Sequence, residues 1–277
     1  MFATVPRFVT GSLAWALLAM SGCSSPDGSP TPSPSREIRD FDFANAEWFD
    51  TSVAETIKLE RGSAKRSDDA SISPMDGGGS WKLLDAPRFA DADGDGDEDA
   101  AVGLSTSGGQ SVNVAWYIWL WSDGSALQLQ QPIVSTTRCD RPIEAVTAVT
   151  GGFEVRAFLF QSDQDNCGGG GVVPISYVAG VRDGWPVRVR PTYGPLATCD
   201  PQSLIVPLRP GGVVQLRVDT DDRAPIVEPA QKYDSLLVSE LAVSPYLPEE
   251  QKGDWVLARA ARGKELICGY VRMDQIL

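Results

Sequence analysis

Residues 112–124 read VNVAWYIWLWSDG, and this stretch decides the fold. Its β-branched and aromatic residues favour a strand, and the closing Asp123-Gly124 is typical of a two-residue hairpin turn. Successive side chains of a strand point to opposite faces, so the run has two apolar faces. One face carries Trp116, Ile118 and Leu120, and the other carries Tyr117, Trp119 and Trp121. The stretch predicts a central strand that is buried on both sides.

The rings of Tyr117, Trp119 and Trp121 allow a second interpretation. Because they are spaced by two residues, they form a ladder about 13 Å long on one face of the strand. Such a ladder can stack against the sugar rings of a cell-envelope glycan if it lies open to solvent. The sequence leaves a buried strand and a carbohydrate-binding face as alternatives.

Short β-branched and aromatic runs, separated by glycine, aspartate and asparagine turns, extend through the rest of the chain. Further hairpin turns are indicated at Gly151-Gly152, Asp183-Gly184, Gly211-Gly212 and Arg262-Gly263. Helix signals are confined to 40–48 and 248–252. The sequence predicts an all-β fold of antiparallel hairpins and meanders. The predicted strands are 55–60, 82–90, 99–105, 112–121, 125–134, 143–149, 153–161, 172–180, 185–190, 203–208, 213–218, 235–243, 255–261 and 266–273.

The predicted strands fall into two groups along the chain. Pro191 and Pro195 interrupt the pattern and place a boundary near residue 192. We expect a larger β-rich domain at 37–192 and a smaller β unit at 193–277. Residues 253–271 are similar to the last strands of a bacterial SH3-type barrel, a family that implies a cell-wall peptide or protein partner. The family's middle strands are missing here, so an ordinary hairpin is the preferred interpretation.

The chemistry of the chain is concentrated in residues 91–99, DADGDGDED, which precede a predicted strand. A tight loop turns alternate side chains inward, and Gly96 permits the sharp turn that such a loop needs. Hard cations prefer oxygen ligands, and Ca²⁺ takes about six to eight of them, so water would complete the shell. The predicted ligands are the carboxylates of Asp91, Asp93, Asp95 and Asp99 and the carbonyl of Asp97. The alternative is an acidic turn that holds no ion.

The loop is not an EF-hand, because position 12 is Val102 rather than glutamate and both flanks resemble strands. Residues 89–103, FADADGDGDEDAAVG, resemble instead the cation loop of FG-GAP and VCBS repeats. The loop occurs once, so a propeller of several blades is not expected. More broadly, residues 41–165 are similar to a set of bacterial extracytoplasmic proteins in which one cation loop precedes a glycine-rich turn and an aromatic strand. That resemblance implies a β-rich exported domain and no particular activity.

The amino terminus has the features of an export signal. Arg7 is the only charge before Cys23, and the apolar run at 8–20 is shorter than the roughly 20 residues that span a bilayer. Met20-Ser21-Gly22-Cys23 resembles a lipobox, which implies cleavage after a signal peptide at 1–22 and acylation, palmitate included, of Cys23. Residues 24–36, SSPDGSPTPSPSR, indicate a disordered tether, so 23–36 forms the anchor. The alternative is an ordinary secretory signal with a chance cysteine.

An exported chain is expected to form disulfides. Besides Cys23, the cysteines are Cys139, Cys167, Cys199 and Cys268, which allow three pairings. If 143–149 and 153–161 form a hairpin, Cys139 and Cys167 lie near its open end. We therefore expect Cys139–Cys167, which leaves Cys199 to pair with Cys268. A zinc site is disfavoured, because the chain has no histidine and no CxxC pair.

The composition of the chain limits the functional classes to which the protein can belong. Removal of the predicted signal peptide, which contains Arg7, leaves 23 basic and 37 acidic residues. The resulting net charge of −14 disfavours nucleic acid as a partner. The absence of histidine excludes Ser-His-Asp and Cys-His catalysis, and no GxSxG motif is present. We expect a non-catalytic binding or scaffold lipoprotein, lipid-anchored to the cell membrane on its extracytoplasmic side, with a structural Ca²⁺ loop. The alternatives are a carbohydrate- or cell-wall-binding lipoprotein and a carboxylate-based hydrolase.

Overall fold

The computed structural model describes residues 36–66, 79–108, 111–137, 140–159, 171–240, 242 and 253–276. They belong to a single compact unit that spans 34–277. The predicted signal peptide, nearly all of the tether and the 248–252 helix signal lie outside the described residues. Within them, no helix is both long and apolar enough to span a membrane.

The described part of the chain is an all-β protein, as predicted. The strands pair in antiparallel sheets, and helical residues occur in short 3-10 turns such as Glu37–Asp40 and Phe43–Asn45. The strands are β1 (Glu47–Asp50), β2 (Glu55–Lys58), β3 (Ser63–Lys65), β4 (Ser80–Ala90), β5 (Asp99–Gly108), β6 (Ser111–Ser122), β7 (Ser125–Gln128), β8 (Val134–Thr136), β9 (Ala145–Val149), β10 (Gly152–Leu159), β11 (Val173–Arg182), β12 (Trp185–Arg190), β13 (Leu204–Leu208), β14 (Ser235–Ser239), β15 (Trp255–Arg262) and β16 (Glu265–Arg272).

The strands in the described part of the chain form four sheets. The largest has the order β3-β4-β5-β6-β7. On the side of β6 that faces away from β5, β7 pairs with one half of the strand and β8 pairs with the other half. A second sheet has the order β12-β11-β10-β9, and a third has the order β13-β14-β15-β16. The pair β1-β2 forms the fourth. Strand β6 is thus central in the largest sheet, which confirms the prediction from its sequence.

The side chains on the two faces of β6 pack into two different hydrophobic cores. Tyr117 and Trp119 pack against the amino-terminal residues, with Ile38, Phe43 and Trp48 among their neighbours. On the opposite face, Trp116 and Ile118 pack against the inner face of the β9–β12 sheet, including Phe153, Val155 and Tyr177. The alternation read from the sequence therefore assigns these side chains to opposite faces, and each face packs against a different part of the chain.

Four of the predicted turns close hairpins. The β6–β7 turn holds Asp123-Gly124 and the β11–β12 turn holds Asp183-Gly184, with positive φ at all four residues. Strands β9 and β10 pair next to Gly151, and β15 and β16 pair next to Gly263. The carboxy-terminal hairpin belongs to a four-stranded sheet.

The prediction of a hairpin at Gly211-Gly212 is wrong. Strand β13 pairs with β14, and residues 213–218 make only isolated bridges, such as Val214 with Gln231. Val214, Leu216 and Val218 are buried in alternation, so the segment has the periodicity of a strand. Its neighbour at 224–231 contains Pro225 and Pro229, which lack the N–H groups that a continuous ladder needs.

Two smaller differences concern strand boundaries. The predicted strand 125–134 is split into β7 and β8, with Pro132 in the connection. The helix signal near 40–48 corresponds to a 3-10 turn at Phe43–Asn45 followed by β1. The predicted division near residue 192 stays a prediction. Val187 on one side of it shares a small apolar cluster with Val218 and Ala224 on the other.

Candidate metal centre

The acidic loop connects β4 to β5, two paired strands of the largest sheet. Side-chain oxygens fold it tightly, because Asp91 Oδ1 accepts the N–H of Gly94 at 2.7 Å and Asp93 Oδ1 accepts that of Asp95 at 3.1 Å. Gly96 has φ +99°, a backbone conformation that residues with a Cβ rarely adopt. The sequence prediction of a sharp turn at this glycine is therefore confirmed.

Three of the predicted ligands converge. One carboxylate oxygen from each of Asp91, Asp93 and Asp99 lies within 4.8 Å of the other two. Asp95 does not belong to this group, and its Oδ1 accepts the N–H of Asp97 at 2.8 Å instead. The role of the Asp97 carbonyl stays a prediction. A cluster of carboxylate oxygens fits a hard cation, and the group can hold a metal ion.

Asp99 is the buried member of the cluster. Its side chain is completely inaccessible, and its two oxygens accept the N–H of Ala92 at 2.9 Å and of Trp121 at 3.0 Å. Burial, helped by the charges of Asp93 and Asp95 and opposed by these two hydrogen bonds, raises the pKa of Asp99 to about 7. Loss of solvent also raises the pKa of Asp93 above its ordinary value. Both shifts express first the cost of burying a charged carboxylate and then the repulsion between neighbouring carboxylates, and a bound cation would offset both.

The loop is braced against three other parts of the chain. The Ala92 carbonyl accepts the N–H of Val181 in β11 at 2.7 Å, and Asp99 binds the backbone of β6. Arg39 holds Glu98 through two hydrogen bonds of 2.5 and 2.9 Å. This ion pair lowers the pKa of Glu98 and directs its charge toward the amino-terminal segment. No sequence pattern points to the pair, since the two residues are 59 positions apart.

An open groove of about 790 Å³ runs beside the loop. Asp91 and Asp93 form one wall, and Thr150, Gly151 and Arg182 lie among the residues of the others. Converging carboxylates with a raised pKa next to a groove also suit a hydrolase, one of the alternatives from the sequence. Asp99, the residue with the largest shift in the cluster, is inaccessible and has both oxygens bound to backbone N–H groups. Asp99 itself is therefore placed to hold the loop or an ion rather than to contact a substrate in the groove.

The aromatic face of β6 is covered by other residues rather than exposed to solvent. Tyr117 is fully buried and Trp119 is 3% exposed, while Trp121 is partly buried against the same core. The Trp48 ring lies 4.9 Å from that of Trp119 and 6.2 Å from that of Tyr117. The interpretation of this face as open to sugars is therefore wrong for Tyr117 and Trp119. The amino-terminal residues cover it, which sequence spacing alone does not reveal.

The cysteines support one of the predicted links. Cys199 and Cys268 form a disulfide with a Cα–Cα distance of 5.7 Å, as predicted. The β9–β10 hairpin on which the other link was argued is present. Cys139 and Cys167 lie outside the described residues, as does the acylation candidate Cys23.

Comparisons with protein-family models, with curated proteins and with solved structures find no match. The resemblance of residues 89–103 to FG-GAP and VCBS loops therefore stays a prediction from the spacing of the residues.

Proposed function

We propose that the protein is a lipoprotein, anchored through Cys23 on the extracytoplasmic side of the cell membrane, whose β-rich part is a non-catalytic binding or scaffold module stabilised by one Ca²⁺ ion. The observation that carries the calcium proposal is the approach of the Asp91, Asp93 and Asp99 oxygens to within 4.8 Å. The lipobox-like sequence and the tether that follows it carry the anchor proposal.

The choice of calcium follows from the donors and from the compartment. The converging atoms are carboxylate oxygens, and Mg²⁺ demands a tighter octahedron and gives up its waters reluctantly. Extracellular Ca²⁺ modules usually bind at roughly 10⁻⁴ to 10⁻³ M, a range that suits an exported protein. The position of the loop supports a structural role, because its residues contact β6, β11 and the amino-terminal segment.

A thermal melt of the purified protein in EDTA, Ca²⁺ or Mg²⁺ tests the calcium proposal. An ion that binds only the folded state stabilises it by RT ln(1 + [L]/Kd), which is about 1.4 kcal/mol at a tenfold excess over Kd. Millimolar Ca²⁺ should therefore raise the melting temperature, and Mg²⁺ should raise it less. Asp93→Asn should remove most of the calcium effect without lowering stability in EDTA, because it also relieves repulsion.

Asp254→Asn is the matched control, because this exposed carboxylate lies outside the loop. It should keep the full response to calcium. An equal melting temperature in EDTA and in millimolar Ca²⁺ for the unchanged protein would show that residues 91–99 are only an acidic turn.

Fractionation of cells that carry Cys23→Ser tests the anchor. The unchanged protein should partition with membranes and incorporate labelled fatty acid, whereas the variant should do neither. Fatty-acid incorporation by the variant would refute acylation at Cys23.

A further inference from the structure

A small pocket opens between the end of β1, the strand β6 and the strand β8. Its volume is about 170 Å³, and the residues that line it include Asp50, Thr106, Ala115, Tyr117 and Thr136. A cavity of roughly 150 Å³ is large enough to hold benzene, which has six heavy atoms. The pocket can therefore enclose a solute of about six or seven heavy atoms.

Asp50 is a buried acidic residue without a counter-charge. It is 1% exposed, it forms no ion pair within the described part of the chain, and it is the only charged residue among those that line the pocket. The guanidinium of Arg66 lies 5.9 Å from the ring centroid of Trp81, but it pairs with Glu55. Buried charges in proteins are usually paired, because removing a charge from water costs free energy. The negative field of Asp50 therefore acts on whatever occupies the pocket.

The hydrogen bonds of Asp50 limit the kind of cation that the pocket can take. Its Oδ1 accepts the backbone N–H and the hydroxyl of Ser52 at 2.9 and 2.8 Å. Its Oδ2 accepts the indole N–H of Trp81 at 2.8 Å and the hydroxyl of Thr106 at 2.5 Å. Because a carboxylate oxygen has about two acceptor sites, none is left for a metal ion or for the N–H of an amine. A quaternary ammonium ion needs no acceptor, since methyl or methylene groups surround its charge.

The rest of the pocket wall suits such methyl groups. Most of the surface that it exposes is apolar, and Val114, Ala115 and Pro132 belong to it. The side chains of Asn113 and Thr136 also line the pocket and have no hydrogen-bond partner within the described residues. They are available to a hydroxyl group on the ligand.

We propose that this pocket binds a small, free quaternary ammonium solute. The field of Asp50 attracts the charge of the solute, and the apolar wall contacts its methyl groups. The proposal goes beyond the function proposed above, because it gives the β-rich part a soluble ligand and depends neither on an ion in the acidic loop nor on the anchor. A lipid headgroup with the same ammonium group fits less well, since its phosphate brings a second negative charge toward Asp50.

Isothermal titration calorimetry of the purified protein with choline tests the proposal, and 3,3-dimethylbutan-1-ol serves as the uncharged isostere of choline. In phosphate buffer at constant ionic strength, choline should bind at least about tenfold more tightly than the isostere, because only choline gains from the field of Asp50. Phosphocholine should bind more weakly than choline. Hydrogen exchange with and without choline locates the site, and choline should slow exchange in 50–52 and 134–137 but not in the hairpin at 145–159.

Three variants test the role of the pocket residues. Asp50→Asn removes the charge and should make the affinities for choline and for the isostere equal. Ala115→Leu fills part of the pocket and should abolish the binding of both, which gives a second test in case Asp50→Asn does not fold. Asp200→Asn is the control, because it removes the charge of another buried acidic residue, 6% exposed, that does not line the pocket. It should keep the preference for choline.

Several results would overturn the proposal. In the unchanged protein, these are the absence of choline binding, equal binding of choline and its isostere, and slowed exchange outside the pocket. A preference for choline that survives Asp50→Asn, or binding that survives Ala115→Leu, would also overturn it. Tighter binding of phosphocholine than of choline would assign the pocket to a headgroup rather than to a free solute. The calcium melts and the fractionation of Cys23→Ser test the proposed function separately.

Discussion

The acidic loop and the carboxy-terminal sheet are both joined to distant parts of the chain, but by different chemistry. The loop is joined by hydrogen bonds and charge, through Val181, Trp121 and Arg39. The carboxy-terminal sheet is joined by a covalent bond, between Cys268 in β16 and Cys199 before β13. Charge contacts respond to ions and protons in the surroundings, whereas an oxidised disulfide does not. Of these two regions, the loop is therefore the one that can respond to ions and protons.

The largest effect is expected from loss of the disulfide, and it should distinguish the carboxy-terminal sheet from the acidic loop. Replacement of Cys199 and Cys268 by serine removes a link across 69 positions, which should lower the free energy of unfolding by about 4 kcal/mol in the chain-entropy treatment. Denaturant unfolding measures this loss. The rise in melting temperature on addition of calcium should remain, because the loop lies elsewhere. A calcium response that disappears together with the disulfide would mean that the two regions are not independent.

Close packing in the carboxy-terminal sheet gives the next effect. A Cβ added at Gly269 would lie 2.7 Å from Leu216 Cβ and 3.3 Å from Val227 Cγ2. Gly269→Ala should therefore cost about 1–3 kcal/mol of stability through overpacking, with the calcium response unchanged. Gly211→Ala is the control, because an added Cβ there meets nothing within 4 Å. Equal unfolding energies for the two variants would contradict the close contact.

The acidic loop should make stability depend on pH when no ion is present. The folded pKa of Asp99, about 7, lies above its ordinary value of 3.8, so the folded state binds more protons between these values. Its contribution is therefore most favourable at low pH and is lost as the pH rises through 7. In EDTA, the protein should be more stable by about 1 kcal/mol near pH 6 than near pH 8. Melts at both pH values measure the difference, and Asp99→Asn should abolish it. A pH-independent melting temperature would contradict the burial of a charged Asp99.

The smallest effect is expected for Arg36, the outer of the two arginines near Glu98. Arg36→Ala should leave the melting temperature unchanged, because a loose ion pair at an exposed position contributes little. Arg39→Ala should lower the melting temperature, since it removes two hydrogen bonds and the contact with Phe89. Parallel melts of the two variants provide the comparison. Equal melting temperatures would show that the pair of Arg39 and Glu98 does not stabilise the fold.

Local patterns explain why much of the fold follows from the sequence. Alternation along 112–121 is enough to assign Trp116 and Trp119 to opposite faces, because the period of a strand is two. Asp123-Gly124 is enough to close a hairpin, because its residues tolerate positive φ. The spacing of the acidic loop is enough to bring Asp91 and Asp93 together, since they lie in one tight turn.

Patterns of the same kind were misleading where the structure of a segment depends on the residues that pack beside it. Residues 213–218 alternate as a strand does, but Pro225 and Pro229 interrupt the segment beside them. The aromatic ladder of β6 has the spacing of a sugar platform, yet Phe43 and Trp48 cover it. Neither result is visible in the segment itself, because each depends on residues far away in the chain.

The sequence by itself determined the antiparallel β class, the two faces of β6, the sharp acidic turn and the Cys199–Cys268 pair. These features depend on the period of a strand, on the φ of single residues and on the small number of available cysteines. Only the tertiary structure decided that Asp99 is the buried member of the cluster, that Arg39 pairs with Glu98 and that the aromatic face is covered. These features depend on which surfaces meet, and apolar burial is non-directional, so it does not specify a partner from one segment alone.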